Sequence, residues 1–274
     1  MCKTIVKSKV YLINDRQMKL REKILLLLSR ELGTGDCKGG ENEWDIDNAL
    51  SLLKKNIQGF SENILDKNIV DYGCGSGYQS VALAKSGANY VLGIETNPVE
   101  LKKARDLAGT LNLNEKVEFK DKIDESLRSK FDLVISQNSM EHFSDPVRAI
   151  NQMKYLLNQM GRVIITFGPP WYAPYGSHMQ FFTKLPWVNI FFPENIVMNV
   201  RSHYRDDGAK RYEEVEKGLN KMTVSRMESI ISNSGMNIQY RKYECVKGFN
   251  ILGRLPLLRE LFINHISCIL TLKT

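Results

Sequence analysis

The chain predicts an α/β protein built on a doubly wound parallel sheet, and three observations carry that prediction. Between residues 68 and 167, short apolar runs alternate with longer stretches of helical period, the pattern of repeated strand-helix-strand units. A glycine-rich turn, Gly73-Cys74-Gly75-Ser76-Gly77, follows the first of those runs and opens a helical stretch. The same alternation resumes at residue 223, after an aromatic interruption.

Taken in order, residues 16–32 predict an amphipathic helix. A glycine-rich loop (Gly33, Gly35, Gly39, Gly40) and a second helix over 46–56 follow, so that 1–60 reads as an N-terminal helical cap. Strands are expected at 68–72, 90–95, 116–119, 131–136 and 161–167, each bounded by Gly, Asp, Asn or Lys. Helices fit after Gly77, after Pro98 with Asn97 as its cap, and after Pro146 with Ser144 or Asp145 as its cap. Beyond residue 223 come a helix to about 234, a strand over 236–246, a short helix over 255–262 and a buried last strand over 264–272. The core is therefore assigned to 61–167 and 223–274.

The stretch from 167 to 192 breaks the pattern, with nine of the chain's 25 aromatic residues. Five of the eight prolines lie there or next to it (Pro169, Pro170, Pro174, Pro186, Pro193). A long aperiodic insertion in a compact domain is usually a functional loop or lid. Residues 168–222 are therefore expected to bind an acceptor molecule. Trp171, Tyr172 and Tyr175 would contact it, and Arg201 with Arg205 would hold an anionic group on it.

Composition narrows the class further. With 274 residues, 43% hydrophobic and 25% charged, disorder and collagen-like structure are excluded. The net charge of +7 is not concentrated in a run: Arg201, Arg205, Lys210 and Arg211 alternate with Asp206, Asp207, Glu213, Glu214 and Glu216, the pattern of a solvated surface. Nucleic acid is accordingly not the expected partner. Five scattered cysteines (Cys2, Cys37, Cys74, Cys245, Cys268) without CxxC spacing suggest neither a disulfide framework nor a zinc site, and a reducing cytoplasm fits best. No transmembrane or signal segment is expected, while peripheral membrane contact stays open.

The glycine turn points to a particular kind of ligand. Its pattern is GxGxG, preceded by Asp71, whereas a dinucleotide site uses GxGxxG. A carboxylate there repels a pyrophosphate and attracts an amino group. Glu95, 18 residues beyond Gly77, ends the second strand, where a carboxylate accepts both ribose hydroxyls. The two carboxylates suit an adenosine carrying an amino-acid tail.

These pieces resemble class I S-adenosylmethionine (SAM)-dependent methyltransferases. VDYGCGSGYQSVALA, the GIE ending at Glu95, FDLVISQNSMEHFSDP and LLNQMGRVIITF stand in that family's order over about 100 residues. The resemblance implies a Rossmann-like seven-stranded sheet, with the last strand antiparallel and inserted beside the fifth, and SAM as cofactor. It places Asp71, Gly73, Cys74, Gly75 and Gly77 at the methionine end and Glu95 with Thr96 at the ribose. Asp121, chosen over Asp124, stands at the adenine, and Gln137 lies beside the cofactor.

Methyl transfer from a sulfonium mainly requires the acceptor to be positioned and water excluded, and a hydroxyl acceptor also needs a base. His178 is the first candidate, because its imidazole titrates near neutrality and Gly168-Pro169-Pro170-Trp171-Tyr172-Ala173-Pro174-Tyr175-Gly176-Ser177-His178 follows the fifth strand. That run resembles a GPPWYxPYGxH signature in an uncharacterised bacterial subset of the family, loosely linked to glycan and envelope biosynthesis. Pinning of the proline-rich loop is the competing role for His178. Glu141 and His142, after the fourth strand, form a pair common in the family, either catalytic or bracing the loop. His265 reads as a packed core residue.

A relative acting on quinone precursors binds metal through Glu-x-x-Glu-His. Here Asn138 takes the first position, so no metal is expected. Amino methyltransferases carry Asp/Asn-Pro-Pro-Tyr after strand four, whereas this chain has Gly-Pro-Pro-Trp after strand five. The expected reaction is therefore O-methylation of a small molecule or glycan. An RNA or protein acceptor is the alternative, and a SAM-binding subunit without activity ranks last.

Overall fold

The computed structural model describes residues 18–30, 32, 45–215, 217–256 and 258–273. The predicted glycine-rich loop at Gly33, Gly35, Gly39 and Gly40, the start of the 16–32 helix, Cys2, Cys37 and Glu216 lie outside the described residues. In chain order the elements are α1 (Leu20–Leu27), α2 (Ser51–Asn56), α3 (Phe60–Asn63), β1 (Asn68–Tyr72), α4 (Tyr78–Lys85), β2 (Tyr90–Ile94) and α5 (Pro98–Thr110). They continue with β3 (Val117–Lys120), β4 (Phe131–Gln137), α6 (Pro146–Leu156), β5 (Leu157–Phe167), α7 (Val188–Phe191) and α8 (Glu194–Arg201). The chain closes with α9 (Val224–Asn233), β6 (Met236–Cys245), α10 (Arg259–Phe262) and β7 (Ile263–Leu272).

The seven strands form one sheet in the order β3-β2-β1-β4-β5-β7-β6. Strands β1 to β5 pair in parallel, while β7 is antiparallel to both β5 and β6. This is the inserted antiparallel last strand that the family resemblance implies. Strand order reverses between β1 and β4, which opens a crevice beyond their carboxyl ends. Pairing of Phe167 with Ile266 and of Cys245 with Ile263 brings the exits of β5 and β6 to that same edge.

The caps follow ordinary helix chemistry. Asn97 accepts from the Val99 and Glu100 amides, Thr223 from the Arg226 amide, and Asp145, rather than Ser144, from the Arg148 amide. Apolar clusters cover both sheet faces. One packs against α6 and α9 through residues such as Met153, Met227 and Ile231; the other packs against α2 to α5 through Leu53, Phe60, Val81 and Ala104.

A third cluster belongs to the insertion. Phe181, Phe182, Val197, Val200 and Tyr212 pack with Leu25 from α1, whose buried Glu22 accepts from the Asn199 side chain at 2.7 Å. The N-terminal cap expected over 1–60 is therefore divided: α1 joins the insertion, while α2 and α3 lie on the sheet. The reason is amphipathic matching, since Leu25 finds its apolar partners on α8, and Leu50, Leu53 and Ile57 find theirs on the parallel sheet.

Candidate active site

The glycine turn leaves β1 and is pinned to β2, with Gly73 and Cys74 donating their amides to the Ile94 carbonyl at 2.9 and 3.1 Å. Gly77 precedes α4 with φ +82°, and a Cβ there would lie 2.8 Å from Ala104 Cβ and 2.9 Å from the Phe119 ring. A side chain would push α4 off α5 and β3. At Gly75 a Cβ would meet nothing within 4 Å, so this glycine leaves the turn open toward the crevice.

Glu95 closes the turn from the opposite side. One carboxylate oxygen accepts from the Gly75 amide at 3.0 Å and the other from the Asn97 amide at 2.8 Å. Asp71 is 2% exposed and accepts from Ser80 Oγ at 2.6 Å and Gln79 Nε2 at 2.7 Å. Burial raises its pKa to about 6, partly offset by those two donors. A cationic amino group brought beside Asp71 would draw the carboxyl back toward its ionised form.

These residues line a cavity of about 840 Å³, within the range of small-molecule sites. Asp71, Gly73, Cys74, Gly75, Glu95, Thr96 and Gln137, all predicted for the cofactor, lie on its wall. The buried Gln79 Oε1 and Gln137 Oε1 have no partner, leaving two acceptors ready for ligand N–H groups. The donor set therefore fits SAM: carboxylates for its hydroxyls and amine, open backbone at Gly75, and amide oxygens for further N–H groups.

Other expectations are corrected. Asp121 is exposed and does not line the cavity, and neither does Asp124, which caps a short turn through the Ser126 amide at 2.9 Å. Their loop bends away after β3. Arg201 is 1% exposed and bound to Asp207 by two 2.7 Å contacts, while Arg205 lies over the Phe181 ring at 4.1 Å. Both arginines serve the insertion's own core. Trp171 packs edge-on against Tyr212, Tyr172 is exposed, and Tyr175 is likewise absent from the cavity wall. Their aromaticity builds the insertion.

The three catalytic candidates separate by position. His142 lines the cavity, and its Nδ1 lies 2.7 Å from the Gly218 carbonyl. Because a carbonyl only accepts, Nδ1 carries the proton and Nε2 keeps its lone pair. Burial lowers the His142 pKa. Glu141 is buried and off the wall, with its backbone carbonyl receiving the Asn220 amide at 2.9 Å. His178, expected to meet the acceptor, is 7% exposed and lies behind His142 with ring centroids 5.6 Å apart. Its ring bonds the Pro169 backbone and its pKa is lowered to about 3, chiefly by burial and then by His142. It therefore sits against the proline-rich turn and off the cavity wall.

That burial has a pH signature. His178 titrates far lower in the folded chain than the ordinary 6.5, so the unfolded chain takes up the proton first as pH falls. Its contribution is complete above 6.5 and is lost toward pH 3. His178→Asn, a residue tolerant of the φ of +57° here, should flatten the fall in stability by up to about 1.4 kcal/mol per pH unit. Urea denaturation at pH 7, 5.5 and 4.5 would show this as a parent-minus-variant difference, and equal slopes would place His178 in solvent.

Several site residues had no sequence signal. Lys55 reaches the cavity from α2, paired with Glu244 of β6 at 2.8 Å, and Lys217 reaches it from the end of the insertion. His265 stays off the wall, as the sequence reading of a packed residue expects, but its Nε2 lies 3.3 Å from Asn138 Oδ1, and Asn138 is on the cavity wall, held at φ +50°.

Residues 65–169 match the model of a family described as methyltransferase domain. A chloroplastic tocopherol O-methyltransferase of Arabidopsis thaliana is 37% identical over 102 residues, covering 36% of this chain and 29% of that protein. A ubiquinone biosynthesis O-methyltransferase of Haemophilus ducreyi is 31% identical over 128 residues, covering 43% and 52%. This chain thus spans about half or less of the curated relatives it matches. Among solved structures, a Synechocystis magnesium protoporphyrin IX methyltransferase with bound S-adenosylhomocysteine superposes with a TM-score of 0.51 at 16% identity, covering 88% of this chain and 90% of that one. The domain match over residues 65–169, the sheet order and the structural superposition together show a class I methyltransferase fold.

Proposed function

We propose that the protein transfers the methyl group of SAM to a hydroxyl of a small-molecule or glycan acceptor, with His142 as the base. The observation that carries this reading is the Nδ1–H to Gly218 bond, which leaves Nε2 of a cavity-lining neutral histidine as a proton acceptor. SAM supplies an electrophilic methyl on a positively charged sulfur. The acceptor oxygen forms the new bond to that carbon as the carbon–sulfur bond breaks, and the hydroxyl proton passes to Nε2. The named relatives that act on tocopherol and in ubiquinone biosynthesis are O-methyltransferases, which supports a hydroxyl acceptor.

The insertion over 168–222 serves this reading as a lid and acceptor platform. Its last residues support that role, because Lys217 and the Gly218 carbonyl sit against the cavity and His142. The proline-rich run after β5 favours a glycan among the acceptors only by its resemblance to the envelope-linked signature.

Purified protein and SAM should release S-adenosylhomocysteine with a metabolite extract or pooled envelope glycans and not with total RNA. His142→Ala should lower turnover by about 10²- to 10⁴-fold while SAM affinity stays within a few-fold. Retained turnover would remove His142 from the mechanism. Activity is also expected to withstand EDTA, because the neutral Asn138 amide, engaged with His265, stands where a carboxylate ligand would be needed.

A further inference from the structure

Exposed apolar side chains cluster on three segments that are linked by contacts. On α1, Leu20, Ile24 and Leu27 follow the helical repeat on a face turned away from buried Leu25, the exposed Leu28 ends the helix, and Leu27 is 86% exposed. The end of α1 runs against the insertion, with the Arg30 amide donating to the Phe182 carbonyl at 2.8 Å and Ser29 bridging Thr183. That stretch leads to α7, where Ile190 and Phe191 face solvent.

Trp187, which precedes α7, then meets Phe262 at 6.1 Å between ring centroids, and Phe262 meets Phe249 at 5.8 Å. Phe249 begins the exposed part of the β6–β7 connection, in which Ile251 is 75% exposed and Leu255 45%. This connection and the insertion both leave the carboxyl edge of the sheet, where the cavity opens. So much exposed apolar surface on segments that touch one another marks an interaction site.

Charge decides what covers it. Residues 182–193 and 246–259 contain no acidic residue, and the single acid of 18–30, Glu22, is turned inward to Asn199. Lys19, Arg21, Arg30, Lys184, Lys247 and Arg254 remain exposed around the apolar side chains. Among the described residues of these three segments the apolar band is rimmed by cations and carries no exposed acid, which matches a surface with hydrocarbon beneath a layer of negative charge. Among the described residues no helix is long and apolar enough to cross a membrane, so contact would be in the plane of the interface.

We propose that this band, formed by α1, the α7 turn and the β6–β7 connection, docks the protein on an anionic lipid bilayer. The inference stands apart from the choice of acceptor, because it is read by binding. In flotation assays the protein should bind vesicles of phosphatidylglycerol with phosphatidylcholine, bind phosphatidylcholine alone far less, and be released as NaCl rises. Lys184→Glu with Lys247→Glu and Arg254→Glu should weaken binding by about tenfold or more. Leu27→Ser with Phe191→Ser and Phe249→Ser should weaken it similarly, with SAM binding and melting temperature unchanged.

Should a triple variant fail to fold, Ile251→Ser alone and the salt titration of the parent carry the same test. Failure of the parent to bind anionic vesicles at low salt would overturn the proposal, as would equal binding by the variants. A concentration-dependent dimer that forms without vesicle binding would instead assign the band to a second copy of the chain, and so would also overturn it.

Discussion

Glu95→Ala should weaken SAM binding by roughly 10- to 150-fold, the worth of about 1.5–3 kcal/mol for hydrogen bonds to a charged group. Two losses combine. The carboxylate would no longer accept from the ribose hydroxyls, and the Gly75 and Asn97 amides, held at 3.0 and 2.8 Å, would lose their common partner. Asp71→Asn should act at the amine end of the ligand with a smaller effect, since one of Ser80 and Gln79 would still have a side-chain oxygen to meet. Titration calorimetry with SAM and S-adenosylhomocysteine reads both. Parent-like affinity in Glu95→Ala would mean that the ligand lies elsewhere in the cavity.

Arg201→Ala should cost the fold about 3 kcal/mol and lower the melting temperature by ~6 °C. The guanidinium is 1% exposed, faces Asp207 through two 2.7 Å bonds and lies 5.8 Å from the Phe181 ring centroid. Its removal empties a large volume in the insertion's core, while Asp207, partly exposed, returns to water. The pair also has an acid signature. Arg201 lowers the Asp207 pKa to about 2, so the pair's contribution is present above the ordinary carboxylate value near 3.8 and is lost as pH falls toward 2. Melting curves of parent and variant should converge at that acid end. A variant that melts like the parent but loses acceptor affinity would restore Arg201 to the binding role that its charge suggested in the sequence.

The sheet and the cofactor half of the site were legible because their signals are local. Strand β1 was placed to the residue, Asn97 and Thr223 cap where their types predict, and Asp71, the glycines and Glu95 lie within 25 residues of one another on consecutive elements. A turn that must approach a ligand needs glycine whatever surrounds it, so GxGxG carries its meaning in the sequence itself.

The acceptor half was not legible in the same way. Histidine, arginine and aromatic side chains in the insertion have the same composition whether they face a ligand or each other. Burial alone separates His178, Arg201 and Trp171, packed inside the insertion, from His142 and Lys217 on the cavity wall. Lys55 lies on α2, Asn138 just after β4 and His265 on β7, more than 200 residues apart at the extremes, and folding brings them together through the Lys55–Glu244 pair and the His265–Asn138 contact. Fold class, the glycine turn and the placement of Glu95 beside it were thus determined by sequence alone, since backbone sterics and local spacing suffice for them. Which charged and aromatic groups reach the cavity was decided by tertiary packing, because desolvation and partner choice depend on neighbours that the chain brings together from a distance.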